Sequence, residues 1–227
     1  MDNKQIKDGI GNIFTVRMRD KSPSLDGTVQ QAMHLATAYA IDYGSGGIFS
    51  YVAKSGVMNA GIAAGAPIIS MRWPGPGNYI SLRRIRMMAW TNTLFAGGMA
   101  TFDVFAARGF TTQDTGGAQA NLSPQTNMLR TSMAPSSADL KYSVSDALVP
   151  GTRTLDLAPL DSRTVPVGLT ANTMFGGTAP MTLLDKPLGE HPLLLGANDG
   201  CVVKVTLPTD GNWCYSATIE WDEIPIY

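Results

Sequence analysis

Apolar and polar residues alternate with period two along much of the chain, most clearly in its last stretch. Between residues 201 and 207, Cys201, Val203, Val205 and Leu207 share one face, with Val202, Lys204 and Thr206 on the other. Between 213 and 221, Trp213, Tyr215, Ala217, Ile219 and Trp221 share a face opposite Cys214, Ser216, Thr218 and Glu220. Such alternation predicts strands with one buried side. The connection Pro208-Thr209-Asp210-Gly211-Asn212 contains Asp-Gly and predicts a hairpin joining the two strands.

The same pattern predicts strands over 48–53, 67–73, 79–91 and 99–110, and shorter ones over 139–147 and 154–158. In the strand over 79–91 the inward phase slips from Ile80 and Leu82 to Ile85, Met87 and Ala89. One extra residue at Arg83-Arg84 produces that slip, which is how a β-bulge reads in sequence. Pro74-Gly75-Pro76-Gly77 marks a turn. Residues 28–41 fit a short helix, with Thr28 and Gln31 as a capping box, and fit an extended segment equally well. Residues 111–137 read as a long surface connection and residues 161–181 as a second irregular region. Residues 187–195 lead through Gly196-Ala197-Asn198-Asp199-Gly200 into the final strands. Seven to nine short strands separated by Gly/Pro turns predict an all-β fold, an antiparallel β-sandwich or jelly roll.

At the N-terminus, Ile13, Phe14, Val16 and Met18 form a short strand pattern within a polar lead-in. A segment with so few apolar anchors does not build its own core. We therefore expect an extended N-terminal arm and linker over 1–60 and a β-domain over 61–227. The arm makes Ile13, Phe14 and Val16 candidate subunit contacts.

Composition adjusts this picture modestly. Of the 227 residues, 44% are hydrophobic and 15% charged, enough for a core and low in surface charge. The net charge of −1 argues against general polyanion binding. No uninterrupted apolar run has the length of a membrane helix, and residues 1–12 lack a signal-peptide core, so assembly in a cytoplasm without a membrane is expected. By phase, Cys201 falls on the inward face and Cys214 on the outward one, which predicts two free thiols. Twelve methionines, several of them in loops (Met128, Met133, Met174), suit an adaptable contact surface.

Candidate chemistry is sparse. His34 and His191 are the only histidines, and neither lies beside an obvious nucleophile. No GxSxG, HExxH, phosphate-loop or dinucleotide motif is present. Two cysteines do not make a zinc site, and Asn198-Asp199-Gly200 supplies too few oxygens for calcium. No catalytic, cofactor or metal site is expected. Trp221, Asp222 and Glu223 pair an aromatic residue with two acids, a combination that a sugar platform uses and that the edge of a core followed by a solvated tail also produces. Arg83, Arg84 and Arg86 form the one basic cluster. It reads as a salt-bridge site towards a neighbouring subunit or as a solvated sheet face. Without aromatic interleaving or a basic tail, nucleic acid is the weaker reading.

The run YISLRRIRMMAWT, then FDVFAARGFTTQDTGG, NMLRTSMAPSS, GTRTLD, HPLLLGANDGCVVKV and ATIEWDE resembles a run in uncharacterised tailed-bacteriophage virion proteins. The segments IKDGIGNIFTVRMRD and AYAID resemble the leading part of such proteins. The resemblance implies a structural component of the virion, a capsid decoration (cement) protein on a jelly-roll scaffold. Its implied partners are the major capsid protein and copies of itself, as a homotrimer. The alternative is a tail, fibre or appendage domain that binds a host-surface glycan.

Overall fold

A computed structural model of the chain describes residues 3–7, 13–17, 47–75, 78–122, 135–167, 170, 172–177, 179–186 and 193–225. The chain divides into two units, Met1–Tyr43 and Gly44–Tyr227. The expected boundary after residue 60 thus moves to 43/44. The physical reason is that β3 (Ile48–Lys54), assigned above to the linker, pairs along its whole length with the last strand of the second unit.

In the first unit, β1 (Asn3–Lys7) and β2 (Ile13–Arg17) form an antiparallel pair with Ile6 opposite Phe14 and Lys4 opposite Val16. β2 follows the pattern read around Ile13, Phe14 and Val16. The possible helix over 28–41 and both histidines lie outside the described residues.

The second unit continues with β4 (Ala66–Arg72), β5 (Asn78–Thr91), β6 (Met99–Arg108), β7 (Ala118–Gln119), β8 (Asp139–Tyr142), β9 (Thr154–Leu155), β10 (Asp161–Pro166), β11 (Met181–Asp185), β12 (Leu193–Leu195), β13 (Gly200–Thr206) and β14 (Trp213–Pro225). There is no helix among the described residues. Two antiparallel sheets face each other. One runs β10-β6-β13-β4-β8-β7 with β9 beside β6; the other runs β11-β5-β14-β3 with β12 beside β5. Eight of these strands have five residues or more. Taken in chain order, the first of the eight pairs with the last (β3 with β14), the second with the seventh (β4 with β13), the third with the sixth (β5 with β11) and the fourth with the fifth (β6 with β10).

The expected terminal hairpin does not form. β13 and β14 belong to different sheets, and residues 207–212 cross between them. The inward sets are as the alternation predicts, Cys201, Val203 and Val205 being buried in the same core as Trp213, Tyr215, Ala217, Ile219 and Trp221, but Val202 and Cys214 on the opposite faces are buried too. Two strands that each bury a face can oppose one another across a core instead of pairing edge to edge. Gly211 makes the crossover: its φ is 84°, and a Cβ there would lie 2.7 Å from the Phe95 ring.

The bulge is where the phase slip put it. Glu220 sits opposite Arg84 and Trp221 opposite Leu82, so Arg83 is the extra residue. Ile80 and Leu82 before it and Ile85, Met87 and Ala89 after it are all buried.

At one end of the core, Trp213 stacks on Phe175 (centroids 6.0 Å apart) and meets Phe102 edge-on (6.1 Å), while Phe95 meets Phe175 edge-on (5.8 Å). Phe175 and Val167 come from the stretch read as irregular, which also supplies β10. β10 escaped the period-two reading because five of its six residues, Asp161, Ser162, Arg163, Thr164 and Pro166, are polar or proline, as on many edge strands. Met58, Met71 and Met87 are core residues, so methionine serves the interior here as well as the surface.

Candidate interaction surface

The basic cluster lies on the outer face of the five-stranded sheet. On β5 the arginines stand beside carboxylates of both neighbouring strands. Arg83 contacts Asp222 of β14. Arg84 lies between Asp185 of β11 at 3.1 Å and Glu220 of β14 at 3.7 Å, and Arg86 reaches Glu220 at 3.1 Å. Register explains the lattice: Arg84 is directly opposite both Glu220 and Asp185, and Arg86 is diagonal to Glu220. The Asp185 carboxylate, by hydrogen bond and charge, and then Glu220 hold the Arg84 guanidinium above its ordinary pKa. Three arginines meet three carboxylates, so the cluster that reads as basic in the sequence is neutral on the surface. Asp185 and Glu220 carry no motif; their role appears only once strand order is known.

Asp222 and Glu223 are not the start of a solvated tail. Both are buried inside β14, and Trp221 stacks on Phe49 with centroids 5.6 Å apart. The Trp221 Nε1–H donates to Ser136 Oγ (3.3 Å), and the Ser136 hydroxyl donates to Glu223 Oε1. Burial raises the Glu223 pKa, partly offset by these hydrogen bonds. With Trp213, Tyr215 and Trp221 all in the core, none of the three is available as a ligand platform.

A second polar group covers the outer face of the seven-stranded sheet. Arg72 of β4 donates to Asp139 of β8 (3.0 Å), Gln119 of β7 donates to the same carboxylate (2.8 Å), and Gln113 Nε2 donates to the Asp139 carbonyl (2.7 Å). Next to it, Asp114 and Arg153 form a buried ion pair between two loops. Arg153 lies 4.8 Å over the Phe110 ring, and Asp114 Oδ1 accepts from Gly151 N (2.9 Å). Burial pushes the Arg153 pKa down to about 10, against which the Asp114 carboxylate favours the charged form. Residues 111–122 therefore do more than connect strands: they hold Asp114 and Ala120 buried and supply β7.

The remaining feature is an edge. The five-stranded sheet ends on β3, which pairs with no other strand among the described residues. Glu223 N–H donates to Gly47 O (2.9 Å) and Ser55 N–H to Tyr215 O (3.0 Å), which fixes the phase of the ladder. Antiparallel ladders alternate bonded and non-bonded pairs. Phe49, Tyr51 and Ala53 thus turn their N–H and C=O groups to β14, and Ser50, Val52 and Lys54 turn theirs outward.

Chemistry of other kinds finds little support among the described residues. No group of three or more His, Cys, Asp or Glu could hold a metal ion there. A cavity between the sheets is lined by Ile69, Met71, Leu82, Ile85, Cys201, Val203 and Ile219, all apolar or thiol side chains. Cys201 and Cys214 are both free, as expected, but Cys214 is buried in spite of its outward phase and the hairpin from which the expectation was argued is absent; burial pushes the Cys201 thiol up to about 12. No family model, curated protein or solved structure matches the chain.

Proposed function

We propose that this chain is a structural component of a bacteriophage particle, a capsid decoration protein that stabilises the shell through contacts with the major capsid protein and with copies of itself. The order of the eight long strands is the single observation that carries the proposal. Pairing first with last, second with seventh, third with sixth and fourth with fifth, divided between two facing sheets, supports reading the sandwich as a jelly roll. Viral capsid domains are prominent users of that scaffold. The sequence resemblance to phage virion proteins, which covers most of the chain and is firmer after residue 79, is the reading this proposal takes up.

The mechanism is adhesive. A neighbour gains contact by burying apolar area and by adding a strand to an open edge, and residues 1–43 act as an arm that raises effective concentration at the contact. Arg84 and Arg86, partly exposed within a neutral lattice, give such a contact orientation more than affinity. Lectins also use jelly rolls, but the aromatic residues nearest to a glycan platform in the sequence lie inside the core, which favours assembly over glycan binding. Deleting residues 1–27 is expected to lower the amount of the chain recovered in purified particles while leaving its thermal unfolding unchanged. Undiminished recovery would remove the arm from the mechanism.

A further inference from the structure

The edge of β3, on which no strand lies among the described residues, differs from the other sheet edges. β7 has two residues, β12 has three, β11 is interrupted at Leu183, and β10 ends in Pro166 and carries Arg163, whose Nε donates to Thr182 O of β11 (2.9 Å). Short strands, bulges, proline and charge are the usual protection of an edge against pairing. β3 has seven residues, Ile-Phe-Ser-Tyr-Val-Ala-Lys, with no proline or bulge and one lysine at its end. Val52 is 47% exposed on it.

We infer that β3 pairs with β3 of a second copy, antiparallel across a two-fold axis at Val52, so that two five-stranded sheets become one. The occupant follows from self-complementarity. Ile48, Ser50, Val52 and Lys54 share the outward phase, and Ile48 is already engaged in an interaction of its own. A two-fold axis at Val52 uses Ser50, Val52 and Lys54 and leaves Ile48 alone. It sets Val52 against Val52 of the second copy, Lys54 against Ser50 instead of another lysine, and Tyr51 against Ala53, a large residue beside a small one. Tyr51 is half-buried and reaches Tyr142 of the other sheet (centroids 5.9 Å apart), so the incoming strand also covers the open side between the sheets. An isologous contact of this kind closes at a dimer.

The inference does not depend on a virion role, and its failure would leave that role standing. Sedimentation equilibrium of the full chain over a range of concentrations tests it. The expected result is a monomer–dimer equilibrium based on the 24.1 kDa chain. Val52→Pro removes an N–H that makes no bond within the sheet, a placement that edge strands tolerate, and should weaken dimerisation at least about tenfold. Val52→Lys should have the same effect by setting two like charges face to face. Mixing Val52→Lys with Val52→Glu should restore a heterodimer that neither forms alone. A chain that stays monomeric, forms a trimer, or dimerises undiminished with Val52→Lys would overturn the inference. So would a Lys/Glu mixture that remains monomeric, which would leave any edge pairing to a different strand.

Discussion

Arg83 has no residue opposite it on β14, yet its guanidinium contacts the carboxylate of Asp222 on that strand. The bulge that makes Arg83 the extra residue also turns the chain so that both Ile80 and Leu82 on one side and Ile85 and Met87 on the other face the core. Without it, half of β5 would present its apolar residues to solvent. Asp222 is the least exposed carboxylate of the lattice, 9% against 26% for Glu220 and 43% for Asp185.

Exposure decides which arginine matters most. Arg83→Ala strips a buried carboxylate of a charged partner and should destabilise the chain by about 2 kcal/mol. Arg84→Ala and Arg86→Ala remove exposed pairs and should each cost less than about 1 kcal/mol. Urea unfolding of the three variants checks the order; equal losses would contradict it.

The Asp114–Arg153 pair is more deeply buried than any pair on the other sheet, at 0% and 4% exposure. Arg153→Met leaves buried Asp114 without a charged partner, with only the Gly151 N–H donating to it among the described residues, and should cost about 3–5 kcal/mol. Adding Asp114→Asn removes the stranded charge while keeping an acceptor for Gly151 N–H, so the double variant should recover most of that loss. A double variant that is the sum of two large losses would place the effect in loop geometry instead.

Tyr215 joins the two sheets. It stands on β14, and its hydroxyl lies 3.1 Å from the Ile68 carbonyl of β4 and 3.0 Å from the Ser143 carbonyl after β8. Tyr215→Phe removes the hydroxyl donor from the Ser143 carbonyl, while the Ile68 carbonyl keeps the Ser143 N–H (2.8 Å), and should cost about 1–2 kcal/mol. Tyr51→Phe, at a half-buried site with a 3.5 Å hydroxyl contact, should stay within about 0.5 kcal/mol. Thermal unfolding distinguishes the two.

Glu223 predicts a pH dependence of definite sign. Its folded pKa is raised by burial above the ordinary 4.5, so between those values the folded chain binds more protons than the unfolded one. The stability this supplies is full below about 4.5 and is lost as pH rises through the folded pKa. Glu223→Gln keeps an acceptor for the Ser136 hydroxyl and cannot ionise. It should match the parent near pH 4 and exceed it at neutral pH in denaturant titrations. A parent that gains on the variant as pH rises would reverse the assignment.

Strand content was legible wherever one face is buried: β5, β6, β13 and β14 all announce themselves by alternation, and even the bulge at Arg83 shows as a slip of phase. Pairing was not legible. Asp210-Gly211 reads as a hairpin, yet the strands it joins oppose each other across the core, because alternation records which side of a strand is buried and not which strand lies beside it. For the same reason Arg83, Arg84 and Arg86 looked basic: their carboxylates, Asp185, Glu220 and Asp222, are far along the chain and arrive by register. Phe175 and β10 were missed because each is a brief contribution from a stretch dominated by Gly, Thr and Pro.

An electron cryomicroscopy map of phage particles assembled in cells that express this chain tests the central proposal most directly. The account predicts density for the two-sheet unit, residues 44–227, at symmetric positions on the shell and in contact with the major capsid protein. Symmetric shell density with no such unit, the chain being recovered only outside assembled particles, would contradict it.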